Sequence, residues 1–77
     1  METFEIKPKL VQGVELTYSI KEHQKNKTIK LTLSFDLNGS GYNNAAELPI
    51  MATKEEMMSA IKPLDKWART IIKENQS

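Results

Sequence analysis

Cysteine is absent from this chain, and histidine occurs once, at His23. Those scarcities exclude disulfides, thiolate metal sites and zinc centres of the Cys/His kind. They leave only carboxylates for a hard cation, so neither a metal nor a cofactor is expected. Long hydrophobic runs are missing too. No stretch approaches the roughly 18 apolar residues of a membrane-spanning helix. Met1-Glu2-Thr3-Phe4-Glu5 has neither a charged start nor an apolar run behind it. The expectation is a cytoplasmic protein with no membrane partner. A strong excess of one charge is also lacking: 11 basic and 10 acidic residues leave a formal charge of +1. No bulk field then draws the whole molecule to nucleic acid, so electrostatic recognition has to come from local patches. Among the basic residues only Arg69 is an arginine, which with the Asn and Ile content points to an AT-rich coding source of the low-GC bacterial or phage kind.

Length is the last scarcity. A chain of 77 residues buries only about 60% of the surface its unfolded form exposes. Small scaffolds compensate with disulfides, a metal or a partner. With the first two excluded, self-association remains, and a homodimer is expected.

What is present is mostly alternation. Thr3 to Leu10 places Phe4, Ile6, Pro8 and Leu10 on one side and Thr3, Glu5, Lys7 and Lys9 on the other, the period of a half-buried strand. Pro8 cannot donate to a ladder, which puts this strand at an edge, and Val11-Gln12-Gly13 makes the first turn. Val14 to about Glu22 reads as a second strand with Val14, Leu16, Tyr18 and Ile20 inward. After the polar turn 23–27, Thr28 to Leu37 alternates Ile29, Leu31, Leu33, Phe35 and Leu37 with polar residues, the cleanest strand signal in the chain. A strand so long and free of Pro and Gly needs a cover. Ala45 to Met51, with Leu48 and Ile50 on one face and Pro49 marking an edge, is the expected cover, reached through a Gly-rich loop over 38–44.

Thr53-Lys54-Glu55-Glu56 has the form of a capping box. Behind it Met57, Ala60, Ile61, Leu64, Ala68, Ile71 and Ile72 fall on one arc of a helix, with Trp67 at the border. Pro63 removes a backbone hydrogen bond, yet the apolar phase runs on unshifted, so one kinked helix over about 54–74 is expected. The resulting architecture is α+β: a single small domain over 1–77, an antiparallel β-meander of three to four strands followed by one C-terminal amphipathic helix (ββββα), with the helix packed on one sheet face. Leu16, Ile20, Leu31, Leu33, Phe35, Ile61, Leu64 and Ile71 should be buried together.

Chemistry has little to work with. Catalysis needs a positioned acid, base or nucleophile in a pocket that excludes water. This chain offers one histidine in a hairpin tip and carboxylates on solvated faces, so no enzymatic activity is expected. The Gly-rich loop lacks the Gly-Lys-Ser/Thr that would make it a phosphate cradle. Binding has more candidates. Lys62, Lys66, Arg69 and Lys73 recur at spacings of four, three and four, one basic stripe opposite the apolar arc, able to grip phosphates or an acidic protein surface and diluted by Asp65. The same cations also complement the helix C-terminus. Lys25, Lys27 and Lys30 make the second hairpin tip basic. Tyr42 is an aromatic in the loop, Met58 lies off the apolar arc, and Trp67 is its half-covered border.

A four-stranded sheet whose last strand runs into Thr53-Lys54-Glu55-Glu56 and a C-terminal helix is similar in layout to the small single-stranded-DNA-binding domains of the transcriptional-coactivator type. The similarity covers the topology and the strand-to-helix junction, and it implies a nucleic-acid-binding accessory role (single-stranded DNA or RNA) as an alternative. Such binders stack bases on aromatics. Here Phe4, Tyr18 and Phe35 alternate inward instead. The leading expectation is a non-enzymatic binding protein, a regulator or inhibitor acting by protein–protein contact and encoded by a phage or other mobile element. A structural or assembly role is a further alternative.

Overall fold

A computed structural model describes residues 5–75. Four strands and one helix follow in chain order: β1 (Lys9–Val11), β2 (Val14–His23), β3 (Thr28–Leu37), β4 (Ser40–Pro49) and α1 (Lys54–Asn75). The strands form one antiparallel sheet in the order β1-β2-β3-β4, and α1 packs on it against β3 and β4. This is the expected ββββα architecture.

Two tight turns set the registers. Gln12 and Gly13 both have positive φ (49° and 83°), as do Asn38 and Gly39 (52° and 82°), the backbone of type I′ hairpins. The first turn pairs Val11 with Val14 and Lys9 with Leu16. Paired residues share a sheet face, so Lys9 and Val11 face the helix with Leu16, and Leu10 is sent to the opposite face. That corrects the expected first strand, whose alternation had Leu10 inward: Leu10 is 74% exposed. Strand structure covers only Lys9–Val11 there; residues 5–8 are irregular, with Ile6 against the core. Thr3 and Phe4 lie outside the described residues.

The second turn corrects the region 38–51. Asn38-Gly39 alone makes the turn, and the segment read as a Gly-rich loop is already strand: Gly41 pairs with Asp36, Tyr42 with Phe35 and Asn44 with Leu33. The last strand therefore runs Ser40–Pro49 rather than Ala45 to Met51, and Met51, 86% exposed, lies beyond it. Gly, Asn and Ala are poor strand formers, but ten positions of pairing with the apolar β3 override that preference.

The helix forms as its ends dictate. Glu56 N donates to Thr53 Oγ1 at 3.1 Å, while Thr53 N donates to Glu56 Oε1 at 2.8 Å, a reciprocal capping box. Helical structure continues through Pro63 to Asn75. Its arc buries Met57, Ile61, Leu64, Ala68 and Ile72 against Leu16, Ile29, Leu31, Leu33, Phe35 and Leu37. Ile20 and Ile71, expected at the centre, are half-buried at its margins. On α1, Ala68 and Ile72 are the fully buried residues, both at 0% exposure.

Candidate functional site

The far face of the sheet is bare. Thr17, Ser19 and Lys21 on β2, Lys30, Thr32, Ser34 and Asp36 on β3, and Asn43, Ala45 and Glu47 on β4 point away from the helix. No aromatic stands among them. Tyr42, read as a loop contact, instead faces the helix side of β4 and stacks on Phe35 with ring centroids 5.1 Å apart. Trp67 meets the same Phe35 edge-on at 5.5 Å. Both rings are half-buried, fixed parts of the core border.

On the helix, Lys62, Lys66, Arg69 and Lys73 are all exposed and line one shallow concave surface with Asp65 and Thr70. The carboxylate that would dilute this ridge is engaged elsewhere. Lys9 Nζ lies 2.9 Å from Asp65 Oδ2, and the Tyr18 hydroxyl donates to Asp65 Oδ1 at 2.5 Å. Lys9 also sits 5.5 Å from the centroid of the Tyr18 ring. Burial, then the bond to Asp65 and its negative charge, push the Tyr18 phenol well above its ordinary pKa of 10.0, against a smaller opposing pull from Arg69. Asp65 is thus turned toward β1 and β2, with its charge matched by Lys9. The four ridge cations are exposed beside this bonded carboxylate.

The remaining candidates do not join this ridge. Lys25 and Lys27 sit in the β2–β3 turn, where Lys27 has φ 57° and its N–H donates to Gln24 O at 3.3 Å. Lys30 belongs to the bare face, paired with Lys21 on one side and Glu47 on the other. The turn lies at the Ile29–Met57 end of the core, whereas the ridge extends toward Ala68 and Ile72. Met58, 42% exposed, lines a groove with Lys54 and the 5–9 segment, so the N-terminal chain partly occupies that surface. Among the described residues no group of three or more His, Asp or Glu side chains could hold a metal ion, and no helix is long and apolar enough to cross a membrane.

Sequence reasoning passed over the Lys9–Asp65–Tyr18 contact. It depends on which face Lys9 takes, which only the two-residue turn at Gln12–Gly13 decides. Compared with known proteins, the chain matches no family model, no curated protein and no solved structure.

Proposed function

We propose that this chain is a non-enzymatic binding module, a small regulator or inhibitor that acts by contacting an acidic surface of a partner protein through Lys62, Lys66, Arg69 and Lys73. The observation carrying this reading is the ridge itself: four cations on one exposed flank, with the one carboxylate lining it, Asp65, bonded to Lys9 and Tyr18. Held on a single helix, the cations present a fixed spacing, and such arrays set on-rate and specificity for an oppositely charged surface. Protein contact is favoured over single-strand binding because base stacking requires exposed aromatic faces. The rings of Tyr18, Phe35, Tyr42 and Trp67 are half-buried or buried on the helix side.

The test is paired capture. The wild-type chain and the Lys66→Glu/Arg69→Glu variant are each used as bait in lysate of the native source, with melting temperatures recorded alongside. The expected outcome is a protein held by the wild type at moderate salt and lost by the variant, with melting temperatures nearly equal, since exposed charges contribute little to folding. Equal retention by both baits would contradict the ridge. Oligonucleotide binding that falls steeply with salt would instead support the nucleic-acid alternative.

A further inference from the structure

The long edge of the sheet is open: among the described residues β4 has β3 as its one neighbour. In the β3–β4 hairpin the two-residue turn makes Leu37 and Ser40 a hydrogen-bonded pair, so backbone groups of Ser40, Tyr42, Asn44, Ala46 and Leu48 face β3. Ile50 N, donating to Lys27 O at 3.0 Å, continues the same phase. The N–H and C=O groups of Gly41, Asn43, Ala45 and Glu47 therefore point out of the sheet. Pro49, which has no N–H to offer, ends this outward set. One outward donor is already engaged: Ala45 N–H is held by Asn44 Oδ1 at 2.9 Å.

An apolar shoulder runs beside this edge. Tyr42, Ala46 and Leu48 are the half-buried helix-side residues of β4. At ~100° per residue, Ala60, Trp67 and Ile71 fall on the flank of α1 opposite Asp65. Asp65 bonds to β1 and β2, so that flank lies over β4, as the groove shared by Leu48 and Ala60 attests. The other end of the sheet offers nothing comparable, since β1 is three residues long and preceded by Pro8.

We propose that β4 pairs antiparallel with β4 of a second copy of this chain, about a twofold axis at Ala45, continuing the four-stranded sheet across the dimer. Facing residues must share a sheet face, which limits the registers. Centring on Ala45 sets Tyr42 opposite Leu48, Asn43 opposite Glu47 and Asn44 opposite Ala46 of the second copy, so the two largest apolar residues of the edge meet and no like charges oppose. Pro49 then lies at the ladder's end, opposite Gly41, where only its carbonyl is needed. Centring on Asn44 would set Tyr42 against Ala46 and Leu48 against Ser40, joining less apolar surface. In the proposed register the Ala45 N–H exchanges the Asn44 side chain for a carbonyl of the second copy. The interface is isologous, as closed dimers require. Its hydrogen bonds are made along β4, whereas Lys66 and Arg69 stand on α1, so charge reversal of these two removes none of them.

Light scattering coupled to size exclusion, over a concentration series to tens of micromolar, is the test. The wild type is expected at twice the 8.8 kDa chain mass. Ala45→Pro removes an outward N–H without touching the bonds to β3 and is expected to elute at one chain mass with its circular dichroism preserved. Hydrogen exchange at Asn43 and Glu47 of the wild type gives a readout independent of that variant: both N–H groups should be protected at high concentration and exchange freely on dilution. Single-chain mass throughout, a folded Ala45→Pro variant that remains dimeric, or concentration-independent exchange at Asn43 and Glu47 would each overturn the proposal.

Discussion

Leu33→Ala is the sharpest perturbation of the core. Leu33 is 0% exposed, sits mid-strand on β3, and is paired with Tyr18 on β2 and Asn44 on β4. Truncation removes three carbons at about 0.8 kcal/mol each in transfer terms, and a cavity cost is added because strands hydrogen-bonded on both sides cannot close the space. The expected loss is roughly 3–4 kcal/mol, within the ~2–5 kcal/mol range of buried Leu→Ala changes. For a chain of this length total stability is roughly 4–12 kcal/mol, so the variant forfeits a large share of it. Urea unfolding should show the midpoint falling with the slope unchanged, as for a two-state domain that loses packing and not compactness. Thr32→Ala, one residue along on the bare face, is the control and should lose no more than about 1 kcal/mol, the span of strand preference. A Leu33→Ala loss no larger than that of the control would refute the register and the placement of α1.

Two further changes probe local contacts. Tyr18→Phe removes the bond to Asp65 and an alkaline component of stability. The folded phenol pKa is raised above its unfolded value, so that contribution is complete below about pH 10 and fades as pH climbs toward the folded value. Wild-type stability should therefore fall above about pH 10 in a way the variant's does not, and parallel pH profiles would contradict the contact. Thr53→Ala takes one half of the capping box and should cost about 1 kcal/mol in thermal or chemical unfolding. A change within error would show that Glu56 alone holds the helix start.

Strand and helix positions were legible wherever side chains alternate strongly or carry a recognised end signal. The alternation of β3 marks its bounds, and Thr53 with Glu56 marks the helix start in both sequence and geometry. Legibility failed where backbone conformation decides. Asn38-Gly39 is a strong hairpin signal, but Gly41, Asn43 and Asn44 after it carry no apolar alternation, so a strand held by its pairing with β3 read as loop. Leu10 looked inward because alternation gives the period of a strand but not its phase, which the turn at Gln12–Gly13 sets. The cationic ridge was readable from its spacing along one helix. The engagement of Asp65 by Lys9 and Tyr18 was not, because it rests on contacts across 56 and 47 residues of chain.

The measurement that bears most directly on the binding account is chemical-shift mapping of the labelled protein titrated with an acidic polypeptide, oligo-glutamate, and separately with a single-stranded oligonucleotide of matched charge. The account expects the polypeptide to shift the amides of Lys62, Lys66, Arg69 and Lys73, to leave Thr17, Thr32 and Ser34 on the bare sheet unmoved, and to bind at least as tightly as the oligonucleotide. Shifts centred on the bare sheet, or preferential binding of the oligonucleotide, would contradict it.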